Sequence, residues 1–79
     1  MRSWELKGYS TRVHDTELIW VLFTARAEAY KEDGNYEYNR KKFKEAIAAY
    51  TEAIKVKCDD AHLNAILYTN RATAQICLG

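Results

Sequence analysis

Seventy-nine residues allow one small domain at most, and at this size folding buries only about 63% of the unfolded surface. Hydrophobic residues at 48% and charged ones at 29% exclude simple disorder. Twelve Lys and Arg against eleven Asp and Glu leave +1, too weak a field to draw in nucleic acid or an anionic membrane. With no proline and three glycines, the breakers that punctuate β-rich folds are scarce, and an all-α chain is expected. Cys58 and Cys77 form no disulfide framework, which points to a reducing compartment.

Residues 1–15 mix Trp4, Gly8, Tyr9 and charges without a period and read as a loose N-terminal leader. Thr16 and Glu17 suit a helix start, followed by the run Leu18 to Phe23, whose side chains cover every face. That run is far too short to span a bilayer. Asp15 and Glu17 directly before it, with Arg12 and His14, argue against a secretory signal peptide. Asp33-Gly34-Asn35 has turn composition, yet Ala27, Tyr30, Gly34 and Tyr38 keep helical spacing across it. One helical glycine costs about 1 kcal/mol relative to alanine, so the helix is expected to continue to Asn39.

A polar connection, Asn39-Arg40-Lys41-Lys42, leads to the cleanest stripe in the chain: Phe43, Ala46, Ile47, Tyr50, Ala53 and Ile54. Asp60 then caps a third helix with Leu63, Ile66, Leu67, Asn70, Ala74, Cys77 and Leu78 on one side. Asn70 sits in the middle of that apolar stripe and demands a reason.

Residues 27–60 resemble a tetratricopeptide repeat, carrying Tyr30, Gly34, Ala46, Tyr50 and Ala53 at the family's spacing. Gly34 and Ala46 would let two helices close together, with Tyr30, Phe43 and Tyr50 filling the space around them. Asp33 and Cys58 depart from the usual Leu and Pro. Residues 61–79 look like the first helix of a second repeat, with Ala72 where Gly34 stood and four extra residues at the junction. The expected fold is thus an antiparallel helix-turn-helix solenoid fragment at 16–79, one full repeat plus the first helix of the next. Stacks generally need about three repeats, so a fragment, an alternative product or an incomplete gene model is expected. The third helix, unpaired on one side, would expose Leu63, Ile66, Leu67 and Leu78 and favour self-association.

The segments at 30–35, 50–55 and 63–72 look most like the tetratricopeptide repeat protein 4 family, co-chaperones of heat-shock proteins 90 and 70. The resemblance implies a cytoplasmic protein, with the nucleus as a second compartment. It also implies that Lys31, Asn35 and Asn70 are three of the five positions of a clamp for the chaperones' C-terminal Glu-Glu-Val-Asp peptide. Lys31 and Asn35, four apart, share a helix face; Tyr38 nearby would pack on the peptide's Val. The family's other clamp residues, a Lys and an Arg, come from a third repeat that these residues do not include. Each position also has a plain structural reading: a solvated lysine, a helix-junction residue, a core amide on a neighbouring carbonyl. Their joint occurrence in the family's register favours the clamp over a generic repeat scaffold that binds a protein without reading its carboxylate.

Other constellations are weaker. Arg40, Lys41, Lys42 and Lys44 lack a stacking platform and are followed by Glu45 and Glu52, which suits a solvated turn. Cys58, Asp59, Asp60 and His62 fit no Cys/His finger spacing. No Gly-rich phosphate loop, nucleophile arrangement or paired-carboxylate motif stands out. A binding module is expected, with no catalytic residue, metal ligand or cofactor.

Overall fold

Two polar connections, 40–42 and 56–60, divide the chain into three helices: α1 (Glu5–Asn39), α2 (Phe43–Lys55) and α3 (Ala61–Leu78). The computed structural model describes the backbone of residues 5–79 and the side chains of residues 18–79, and among the described residues no strand occurs. α1 starts eleven residues ahead of Thr16, so 5–15 are helical where composition suggests a loose leader. Proline is missing there, and the penalty of Gly8 alone is too small to stop a helix. Residues 1–4 of that leader lie outside the described residues. At the other end α1 passes through Asp33-Gly34-Asn35 unbroken, as the helical spacing predicts.

The helices alternate in direction. Tyr38, late in α1, meets Phe43, first in α2, edge to face at 5.4 Å. Phe23, far upstream in α1, shares a cleft with Val56 just past the end of α2. α3 runs back beside α2, which is the central helix; α1 and α3 touch each other much less. Ala27, Ala46, Tyr50, Ala53, Cys58, Leu63, Leu67 and Ala74 make the buried core. Alanines at Ala27, Ala46, Ala53 and Ala74 let the helices approach closely, and Tyr50 and Leu67 are the largest side chains fully buried among them.

Gly34 makes room for Tyr50, one of the rings expected to fill the space at this contact. A Cβ there would lie 2.6 Å from Cδ1 and 2.8 Å from Cζ of Tyr50, so the missing side chain is the seat of an aromatic ring. The partner of Gly34 is the Tyr50 ring, which crosses the interface from α2.

The helix ends follow local rules. At the end of α1 the Lys42 amide donates to the Glu37 carbonyl and the Lys41 amide to the Tyr38 carbonyl, both at 2.9 Å. This is a Schellman ending, with Lys41 at φ 63° where glycine is usual. Asp60 accepts from the Leu63 amide at 3.0 Å and caps α3, as its position predicts. Cys58 and His62 flank this cap, and the buried Cys58 thiol donates to Asn64 Oδ1 at 3.6 Å.

The expectation for the third helix is corrected in part. Leu63 and Leu67 are buried and Ile66 is half-buried, because the apolar stripe of α3 turns onto α2. Leu78 remains exposed, joined by Tyr68 and Ile76. The larger exposed apolar surface is on α1, where Leu18 to Phe23 are all between 39% and 64% exposed.

Two substitutions test this packing. Gly34→Ala should lower stability by up to about 2 kcal/mol, the overpacking cost less the gain in helix propensity. In a Tyr50→Leu background, with the ring gone, the same change should stabilise; urea midpoints of the four chains measure the coupling. Lys41→Gly should raise stability by about 0.5–1 kcal/mol, read as a higher urea midpoint, since it removes a Cβ from the left-handed region.

Candidate functional site

Asn35 and Asn70 are 35 positions apart, on helices separated by the whole of α2, and their side chains touch. Asn70 Nδ2 donates to Asn35 Oδ1 at 3.3 Å. The Tyr50 hydroxyl donates to the same oxygen at 2.5 Å. Tyr50 is 1% exposed, so its hydroxyl must find an acceptor inside the protein, and Asn35 supplies it. Three helices therefore meet at one amide oxygen. Around it lies a cleft of about 260 Å³ lined by Asn35, Tyr38, Tyr50, Asn70 and Thr73.

The geometry gives Asn70 its reason for interrupting an apolar stripe. It is half-buried and faces the α1 amide, and no carbonyl partner is needed to explain it. Asn35 has both lone pairs of Oδ1 engaged, and its Nδ2 has no partner among the described residues. The polar capacity left on that side chain is donor capacity.

Lys31 stands one turn before Asn35 on α1 but does not line the cleft. Its ammonium pairs with Glu28 at 3.2 Å and Glu32 at 3.8 Å, both on the same helix. With exposed glutamates and a half-buried lysine, such intrahelical pairs are worth about 0–1 kcal/mol, so a tightly held anion could compete for the lysine. Tyr38 lines the cleft with its ring against Phe43, while its hydroxyl lies 3.6 Å from Cys77 Sγ.

Two lining residues escape a reading from spacing. Tyr50 reads as core filling, although a buried Tyr in place of Phe signals a hydroxyl with a partner. Thr73 follows Asn70 by one helical turn, its hydroxyl turned back to the Thr69 carbonyl at 2.9 Å. In the basic segment, Arg40 is engaged locally: it pairs with Glu37 at 3.2 Å and stacks over Tyr36.

Both cleft phenols hold their protons more firmly than usual. Burial raises the Tyr50 pKa, with the nearby Tyr38 adding to the shift and the Asn70 amide pulling the other way. Tyr38 is raised by its hydrogen bond to Cys77 and by the thiolate charge that would develop there. A folded pKa above the unfolded value near 10 means stability present below that pH and lost as pH rises through the folded value. Urea midpoints should therefore fall between pH 8 and pH 11. Tyr50→Phe should cost about 0.5–1.5 kcal/mol at pH 8 and show a smaller alkaline drop than the parent chain.

Comparison with known proteins sets these residues in context. The chain is 52% identical over 54 residues to tetratricopeptide repeat protein 4 of Homo sapiens, covering 68% of this chain and 14% of that protein. It is 51% identical over 45 residues to a DNA polymerase interacting tetratricopeptide repeat-containing protein of 47 kDa from Drosophila melanogaster, covering 57% of this chain and 11% of that one. It is 40% identical over 50 residues to the Hsp70/Hsp90 co-chaperone CNS1 of Saccharomyces cerevisiae, covering 63% of this chain and 13% of that one. The chain thus spans about one seventh of the length of the tetratricopeptide repeat protein 4 relatives it matches. No protein-family model and no solved structure matches it.

Proposed function

The chain belongs to the tetratricopeptide-repeat family, most like tetratricopeptide repeat protein 4, and from that premise we propose that it is a chaperone-binding module. It takes the acidic C-terminal peptide of heat-shock proteins 90 and 70, ending in Glu-Glu-Val-Asp, through a partial carboxylate clamp. One observation carries this reading: the side-chain amides of Asn35 and Asn70, from successive repeats, stand side by side at 3.3 Å on one cleft. The co-chaperone name of the yeast relative supports the class of partner.

In this reading a chain-terminal Asp brings two carboxylates to the cleft. Asn35 and Asn70 donate to them, and Lys31 supplies the charge after leaving Glu28 or Glu32. Tyr38 offers a ring edge to the peptide's Val. Charge-assisted hydrogen bonds are worth about 1.5–3 kcal/mol each, so three donors give at most micromolar affinity once ordering costs are met. The work is recognition, with no bond made or broken, in the cytoplasm or nucleus where the chaperone tails are met. Among the described residues no helix is long and apolar enough to cross a membrane.

Self-association belongs to the same reading, moved from α3 to the α1 run Leu18–Phe23. Exposures of 39–64% on six large side chains leave on the order of 600 Å² of apolar surface per chain, at the upper end of the patches that soluble monomers expose, of which one partner helix would cover a part. Sedimentation of the chain and of a Leu18→Lys, Leu22→Lys variant should show concentration-dependent dimers only for the first.

Calorimetry with a Glu-Glu-Val-Asp peptide tests the clamp. The free acid should bind in the micromolar range, and the C-terminal amide at least tenfold more weakly. Lys31→Ala and Asn70→Ala should each weaken the free acid without changing helix content by circular dichroism. Equal binding of acid and amide would leave a repeat scaffold that ignores the carboxylate.

A further inference from the structure

We infer that Tyr50 is a positioning residue for the peptide site: its buried hydroxyl fixes which way the Asn35 amide faces, and so makes Asn35 a donor toward the cleft. The inference rests on the clamp reading for its ligand, an extended peptide with a free C-terminal carboxylate, and on the described geometry for everything else.

An asparagine amide is nearly symmetric in shape, and rotation by half a turn exchanges a donor for an acceptor. Facing a carboxylate, one orientation attracts and the other repels. At Asn35 the choice is made from behind. The Tyr50 hydroxyl at 2.5 Å and the Asn70 amide at 3.3 Å both donate to Oδ1. A flipped Asn35 would set its own NH2 against two donors. The Asn70 amide could turn over to accommodate that, because it too can present an oxygen. A phenol oxygen also accepts, so a flipped Asn35 could donate to it, but the Tyr50 proton would then lose the acceptor it has among the described residues. Tyr50 therefore holds the orientation, and Asn70 follows it.

The hydroxyl reaches Asn35 because of what the preceding residue lacks. Gly34 leaves the space that the Tyr50 ring occupies, so ring and amide meet at consecutive positions of α1. The raised pKa of the phenol keeps the donor protonated well beyond neutral pH. A glycine-tyrosine contact that looks like repeat packing thus also sets the polarity of the neighbouring binding residue.

Tyr50→Phe keeps the ring and removes only the hydroxyl. In the full 79-residue chain it should weaken the free-acid Glu-Glu-Val-Asp peptide by about three- to tenfold, the size of one hydrogen bond. Affinity for the amidated peptide should stay unchanged. Asn35→Asp, which keeps an acceptor for Tyr50 and Asn70 but has no donor, should retain the fold by circular dichroism and lose the preference for the free acid. A readout without peptide is the Asn35 side-chain NH2 pair in nitrogen-15 spectra: sharp in the parent chain, shifted or exchange-broadened in Tyr50→Phe. Tyr50→Phe with the parent's acid-to-amide ratio and an unaltered Asn35 pair would overturn the inference and leave the clamp standing. If the parent chain itself fails to distinguish acid from amide, the clamp reading falls, and the Asn35 signals alone decide whether Tyr50 sets the amide.

Discussion

The Tyr50 side chain ties the three helices together at the point where a ligand would enter. Its ring fills the space opposite Gly34, and its hydroxyl ends on Asn35, which in turn receives Asn70 from α3. Burying a phenol without a partner would cost about 1–3 kcal/mol, a large share of the stability open to so small a domain. The packing of α2 against α1 and the polar arrangement of the cleft are therefore one constraint. Removing the ring would undo both, whereas removing the hydroxyl alone would change only the cleft.

That constraint explains how a short chain can present fixed donors. Small residues at Ala27, Ala46, Ala53 and Ala74 bring the helices close. Asn35 and Asn70 lie on rigid helices, and each is held by the other. Lys31 is different in kind. It stands one turn before Asn35 on α1, paired with Glu28 and Glu32 on its own helix.

Much of this was legible from residue spacing. The stripe from Phe43 to Ile54, the cap at Asp60 and the unbroken passage through Gly34 each follow from local rules that act within a turn or two of helix. The start of α1 was not, because weak helix formers without proline do not mark a boundary; Glu5 rather than Thr16 begins it. The fate of Leu63 and Leu67 was missed for another reason. Periodicity shows that a helix has an apolar face but not which neighbour takes it, and α2 takes it here.

Composition and periodicity were enough for three helices and the oddity of Asn70, since each is a property of residues close together in the chain; the repeat itself is legible only through its resemblance to a known family. Whether Asn35 and Asn70 would meet, and that a core tyrosine would end on a cleft amide, were settled by packing. Those contacts join positions 15 and 35 residues apart, and their geometry depends on how closely α1, α2 and α3 approach. No local pattern encodes that distance; the sizes of the side chains between the helices do.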